Sequence, residues 1–368
     1  MNSANRTVLK RFVGCGSALA ASACAGILDA RADDKVAATS YPAEYVSVCS
    51  IHGEGFVAIP GTETCLLFSG EVSAEYISTR SHHNDGEHTH ESGVSAQIGL
   101  IAINETELGT LASRLLFDAV GVESSDQLDE FSSAEEFERG TGLQAATISL
   151  AGFHAGFDAD DGGAWNRYSG GGYYDAILDG YYSFHTAMFL EYGGSIGDLS
   201  FVAGLQDSTF SGAPGAPDPY AAMAWSGDLM TQGFAVVFDQ NGGNAKGNGA
   251  VAWRVRSDLD LHSILPDLAF AVWYEHDDGD TDYVKGEVWG ATGKVALTEN
   301  ISLYGGYSSY DGKQTATGLD AVNWTAGILW EAADGLEIQA EVSTSRFENE
   351  ALSGPNFRAI AVSVTRTF

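Results

Sequence analysis

Lysine and arginine are scarce: they number 18 against 50 aspartates and glutamates in 368 residues, a formal charge of −32. That balance argues against nucleic acid as a partner, because phosphate recognition rests on Lys and Arg. A charged partner of this chain is a cation. Proline is rare as well, at 7 residues against 45 glycines, yet 44% of the chain is hydrophobic and only 18% charged, so it is neither disordered nor short of core material. Beyond residue 32 no run reaches the roughly 18 consecutive apolar residues that a membrane-spanning helix needs, which excludes a helical membrane protein. Cysteines number 4, without C-x-x-C or Cys/His finger spacing, so neither a thiol redox motif nor a structural zinc site is expected.

Residues 1–32 read as a cleaved export signal. Arg6, Lys10 and Arg11 form a positive start, small and apolar residues follow from Phe12 to Leu28, and Ala30-Arg31-Ala32 is an A-x-A cleavage site. Cys24 after Ala21-Ser22-Ala23 lacks the leucine that a lipidation site carries three residues earlier, so it reads as a small residue of the apolar stretch. Removal of the signal takes Cys15 and Cys24 away and leaves Cys49 and Cys65 in an oxidising compartment. The two are expected to form one disulfide within an N-terminal segment, residues 33–65.

From Leu66 onward the pattern is period-2 alternation in stretches of about ten residues, separated by Gly, Asn and Asp. In 67–79, Phe68, Val72, Ala74 and Tyr76 share one face while Ser69, Glu71, Ser73 and Glu75 share the other. In 249–262, Val251, Trp253, Val255, Leu259 and Leu261 oppose Arg254, Arg256, Asp258, Asp260 and His262. Such strands stand between two different solvents. They are expected near 66–79, 94–104, 109–120, 143–150, 152–157, 181–192, 198–207, 221–227, 230–239, 249–262, 267–277, 284–298, 300–310, 321–332, 335–347 and 357–368. Tight joins at 104–109, 151–152, 193–197, 298–300 and 333–335 alternate with longer polar segments, the short-turn, long-loop asymmetry of outer-membrane barrels. The expected fold is all-β, a transmembrane antiparallel β-barrel of about 16 strands over residues 66–368 with both ends periplasmic. A soluble sandwich or propeller would not keep one parity charged along whole strands.

Gly193-Gly194-Ser195-Ile196-Gly197 spells a nucleophile elbow, but the elbow requires a helix after it and here a strand follows, so a hairpin is expected and no enzyme. His82, His83, His88 and His90, with Asp85 and Glu87, can ligate a transition metal at a loop tip or simply form a polar loop. The acidic run His276 to Asp282 lacks the glutamate of a calcium loop and reads as a solvated segment. Trp253, Trp273, Trp289, Trp324, Trp330, Tyr304, Tyr307 and Tyr310 can supply interfacial girdles or ordinary strand packing. Arg366 shares parity with Val362, Val364 and Phe368 and so aims at lipid, which is tolerable near the periplasmic rim.

The stretch Cys49-Ser50-Ile51-His52-Gly53-Glu54-Gly55-Phe56, followed by Ile59-Pro60-Gly61-Thr62-Glu63-Thr64-Cys65-Leu66, resembles the N-terminal signature of the alphaproteobacterial porins, the family of the Brucella and Rhizobium major outer-membrane porins. Glu105 to Leu111, the strand pair Leu143 to Gly156 and the terminal Phe368 extend the likeness over essentially the whole mature chain. The resemblance implies a homotrimeric 16-stranded channel for small hydrophilic solutes in a Gram-negative outer membrane, in contact with lipid and lipopolysaccharide, with no cofactor and a third long loop folded inward. That loop would be about residues 158–183, carrying Asp158, Asp160, Asp161, Asp175 and Asp179, opposed by Arg254 and Arg256 and, more weakly, Arg114. With Glu71 and Glu75 on the first strand where related porins often carry inward basic residues, the constriction is expected to prefer cations. The competing readings are a structural or adhesive barrel with a plugged lumen and a substrate-specific channel for a cationic nutrient.

Overall fold

The computed structural model describes residues 49–81, 88–125, 136–158, 167–169, 187–206, 217–239, 250–265, 268–277, 286–312, 319–347 and 356–368. A helical turn, Ser50–His52, precedes β1 (Val57–Ala58), β2 (Cys65–Ser81), β3 (His88–Thr106), β4 (Gly109–Ser125), β5 (Glu136–Leu150) and β6 (Phe153–Asp158). There follow β7 (Ala187–Ile196), β8 (Leu199–Gln206), β9 (Asp218–Ser226), β10 (Met230–Asp239), β11 (Ala250–Asp260) and β12 (Ala269–Asp277). The last five are β13 (Gly286–Thr298), β14 (Ile301–Gly312), β15 (Leu319–Ala333), β16 (Leu336–Phe347) and β17 (Phe357–Thr367). All belong to one 17-stranded sheet; without β1, the remaining 16 pair each with the next, and β17 pairs back onto β2. The barrel is therefore closed, with no strand edge left to hydrocarbon.

Each of the sixteen expected strands is present. The main departures lie at the long-loop end, where β3 begins at His88 instead of 94 and β5 at Glu136 instead of 143. Apart from Phe137 those extensions are polar or glycine in sequence, so no alternation marks them as strand. At the opposite end β7 runs on through Gly193 to Ile196, and the turn falls at Gly197 and Asp198; Ser195 pairs with Ser200 on β8 in plain strand register, with no helix after it. One of the two-residue hairpins there, Ala151-Gly152, has both residues at positive φ, 52° and 86°, as a turn matched to strand twist requires.

One parity faces out. Phe68, Val72, Tyr76, Val94, Ile98, Leu190, Met223, Phe238, Ile360 and Val362 are all exposed on it. The inward parity carries the polar residues together with small ones such as Ala271, Ala359 and Ala361. Of the aromatic residues open to girdle or strand packing, Trp289, Tyr307, Trp324 and Trp330 are exposed on the outer face and Trp253 packs outside, tilted against Tyr274. Trp273, Tyr304 and Tyr310 take the other course and are buried on the inner parity. Trp273 and Tyr304 lie over Gly290 and Gly327, the residues directly opposite them on the next strand, where a Cβ would come within 2.1 and 2.2 Å of the rings. The rings therefore lie against the wall instead of projecting along the radius. Arg366 is outside, as expected, and donates to the Asp334 carbonyl in the β15–β16 turn.

At the short-turn end, β2 overhangs β17, whose last strand residue, Thr367, pairs with Glu71. β1 covers the overhang by pairing Val57 with Leu66 and Ala58 with Cys65. The Cys49–Cys65 disulfide and the hydrogen bond from Cys49 N to Phe56 O (2.9 Å) tie this segment to the wall. A loop of this size is worth about 3 kcal/mol on chain-entropy grounds. We expect the mature, unfolded protein to show no reactive thiol until reductant is added, and two afterwards, as read by maleimide labelling and mass spectrometry.

Candidate functional site

Between β6 and β7, a described piece of the third long connection lies against the inner wall of the barrel. This piece is the helical turn 167–169. Tyr168 packs on Val202, Tyr220, Ala222, Ala235, Val237 and Ala252, all inward residues of β8 to β11. Its carbonyl lies so close to Gly233 of β10 that any Cβ there would collide with it, which is why the strand carries glycine at this point. Ser169 beside it is fully buried.

A carboxylate in the wall holds the loop. Glu191 of β7, 4% exposed, accepts from the guanidinium of Arg167 in the loop, from His154 Nδ1 on β6 (2.7 Å) and from the Tyr220 hydroxyl on β9 (2.6 Å). Three donors from three different elements converge on one buried acid, an arrangement whose loss leaves a desolvated charge uncompensated. The sequence reading placed this loop but did not single out Arg167 or Glu191. The available signal was Glu191 itself, a lone acid between Leu190 and Tyr192 on the inward parity of an otherwise apolar strand.

Of the expected constriction residues, Asp158 closes β6 and is 6% exposed, with its Oδ2 3.0 Å from Arg114 Nη1 on β4. Asp160, Asp161, Asp175 and Asp179 lie outside the described residues. Arg254 and Arg256 stand on the inward face of β11. Arg254 is wholly buried and donates through Nε (2.8 Å) and Nη2 (2.6 Å) to Glu275 Oε2 on β12. Arg256 makes a two-pronged contact with Asp258 through Nε (2.7 Å) and Nη2 (2.6 Å). Along this side of the lumen each arginine is thus matched by a carboxylate.

The other side differs. Glu71 and Glu75 on β2, Glu91 on β3, and Glu337 and Glu341 on β16 all have inward parity, over the small residues Ala359 and Ala361 of β17. Among the described residues no basic side chain shares the inward face of these four strands. Tyr304 donates to Glu341 (3.1 Å) and accepts from Gln339 Nε2 (2.5 Å), fixing that acid against the wall. Of the histidine group, His90 lies on β3 and its Nδ1 is 2.8 Å from the outward Tyr76 hydroxyl; His88 is on the same strand, and His82 and His83 fall outside the described residues. Among the described residues no group of three or more His, Cys, Asp or Glu is placed to hold a metal ion.

A closed, lumen-bearing barrel with a loop pinned inside it invites comparison with known proteins, and the profile of a porin subfamily matches residues 33–364. The chain belongs to this porin family. The porin is 26% identical to the porin Omp2a of Brucella suis over 368 aligned residues, 91% of this chain and 92% of that one. It is 32% identical to Omp2a of Brucella ovis over 166 residues, 42% of this chain and 47% of the relative. In fold it is similar to OmpF of Salmonella typhi, solved in complex with daunomycin, with a TM-score of 0.60 and 16% identity over 83% of this chain and 98% of that structure. Family and barrel together make the porin a channel of the Gram-negative outer membrane.

Two outcomes follow from the geometry. Arg167→Gln removes a charge-assisted contact worth about 2 kcal/mol, and is expected to raise open-channel noise and subconductance events in planar bilayers while the barrel stays folded. Gly290→Val drives Trp273 off the wall and is expected to lower single-channel conductance, whereas Gly290→Ala lowers it less.

Proposed function

We propose that this porin passes small hydrophilic solutes and ions by passive diffusion and prefers cations, and that it works as a homotrimer embedded among outer-membrane lipid and lipopolysaccharide. Residues 1–32 are its export signal, residues 33–65 its disulfide-bonded N-terminal segment and residues 66–368 its barrel. The constriction forms where the third loop meets the wall, with Asp158, Asp160, Asp161, Asp175 and Asp179 as its acids. Arg114, Arg254 and Arg256 serve there as internal counter-charges.

The observation that carries the ion preference is the asymmetry of the lumen. Arg254 and Arg256 are matched by Glu275 and Asp258, and Arg114 by Asp158. Glu75 and Glu341 face inward from strands that offer no inward cation among the described residues, and Glu71, Glu91 and Glu337 stand on the same wall, the last near the inward Lys294 of β13. A water-filled tube with low-dielectric walls focuses such a field, raising the local concentration of cations and lowering that of anions. Fixed carboxylates also replace part of the hydration that a cation gives up at a narrowing. Nothing in this process requires covalent chemistry.

The reversal potential across a potassium chloride gradient tests the proposal. Wild-type channels are expected to favour potassium over chloride. Replacing Glu75, Glu91 and Glu341 by Gln is expected to move the reversal potential most of the way to zero. Replacing Asp158, Asp160 and Asp161 by Asn is expected to move it further. Anion selectivity in the wild type, or indifference to both sets of substitutions, would overturn the proposal.

A further inference from the structure

The lumen wall of β3 to β5 carries a carboxylate that the constriction described above does not use. Asp118 stands on the inward parity of β4, partly exposed, with Gln97 of β3 directly opposite on one side and Gly142 of β5 directly opposite on the other. Just along β5 the register breaks. Leu116 pairs with Ala145 and Phe117 with Leu143, which makes Gln144 an extra residue, a β-bulge. Leu143 is 42% exposed on the lipid face and Ala145 is fully buried on the inner one. The bulge thus sets two consecutive side chains, Gln144 and Ala145, toward the lumen, and Gln144 Nε2 donates to Asp118 Oδ2.

Gly142 supplies the room for this arrangement. A Cβ there would come within 3.2 Å of Asp118 Oδ1 and 3.9 Å of Gln144 Nε2, so any longer side chain would cover the carboxylate. With Oδ2 taken by Gln144, Oδ1 lies over the glycine on the lumen side. Arg114, four residues earlier on the same face of β4, is committed to Asp158. Carboxamide oxygens complete the group. Gln144 gives an N–H to Asp118, which leaves its Oε1 directed elsewhere. Gln97, directly opposite Asp118 with Cβ atoms about 5 Å apart, can turn its own carbonyl to the same point. One carboxylate oxygen and two amide oxygens therefore ring a single position on the wall.

We infer that Asp118, Gln97 and Gln144 form a binding subsite for the primary ammonium group of a permeating solute, such as an amine or amino sugar. An ammonium group of this kind carries three N–H donors and no acceptor, which matches one carboxylate oxygen and two carbonyl oxygens. Its bond to the carboxylate is charge-assisted. A guanidinium fits less well, because its flat fork engages both oxygens of one carboxylate and Gln144 occupies Oδ2. A quaternary ammonium offers no N–H at all, and an anion meets the wrong sign. The subsite thus discriminates between cations of one charge, by hydrogen bonding as well as by field. The inference rests on the barrel being an open channel and is separate from the sign of its overall ion preference.

The test is the single-channel conductance of the folded mature protein in planar bilayers as the concentration of one cation is raised. Methylammonium chloride is the probe and tetramethylammonium chloride the control without donors. In wild type, conductance is expected to saturate in methylammonium and to stay proportional to concentration in tetramethylammonium. Asp118→Asn, which keeps the shape and removes the charge, is expected to raise the half-saturating concentration of methylammonium roughly tenfold, the loss of one charge-assisted hydrogen bond. Gln97→Leu, which leaves every charge in place, is expected to raise it roughly threefold. Should Asp118→Asn fail to fold, Gln97→Leu carries the test alone. Conductance that does not saturate in wild-type methylammonium would overturn the inference, as would a half-saturating concentration that neither substitution moves. Equal saturation in both ammonium salts would also refute it, reducing Asp118 to a fixed charge. Chloride preference in the potassium chloride gradient, with methylammonium saturation still lost in Asp118→Asn, would remove the ion preference proposed above and sustain the subsite.

Discussion

A peptide group facing hydrocarbon has no water to bond, and leaving it unpaired costs several kcal/mol. The rest of this structure follows from meeting that constraint with strands. Pairing β17 back onto β2 satisfies the wall, and the short β1 occupies the stretch of β2 that β17 is too short to reach. Closure also creates two separate environments from one sheet. Every strand must then alternate between lipid and lumen, and the chemistry of the channel is confined to every second residue.

Within the lumen, charge does two different jobs. Arg254 and Glu275 are both removed from water, Glu191 is buried beneath a partly exposed Arg167, and each pair places a cation against an acid on another element. Buried pairs of this kind contribute modestly to net stability, but breaking one by deleting a partner is expensive, about 3–5 kcal/mol. They therefore fix position: the Arg167 contact fixes the helical turn 167–169 against the inner wall. The glutamates of β2, β3 and β16 are arranged differently, on the inward face of strands that carry no inward cation among the described residues. Aromatic rings are handled with similar economy of space, since Trp273 and Tyr304 are laid flat by the glycines opposite them.

Most of the barrel was legible in the sequence because its cause is local. Lipid on one side and water on the other impose a period of two, and the sixteen segments with that period are the sixteen strands. Where both faces meet water the signal vanishes, so the outer ends of β3 and β5 were read as loop. Parity also identified Glu71, Glu75, Arg254 and Arg256 as lumen residues. It left Trp273, Tyr304 and Tyr310 open, because a large ring is acceptable on either face of a wall and the glycine on the neighbouring strand decides which.

The sequence by itself determined the number of strands, the end at which the long loops lie, the disulfide partners and the acid excess of the chain, since each depends on composition or on neighbours a few residues away. Only the tertiary structure decided which acids are neutralised and which are left to act. Both pairs are separated by more than twenty positions: Glu191 and Arg167 meet because the turn 167–169 packs on the inner wall, and Arg254 and Glu275 because the β11–β12 register sets them directly opposite. The surroundings of Asp118 were decided in the same way: Gln97 and Gln144, more than twenty positions before and after it in the chain, reach it from the two neighbouring strands.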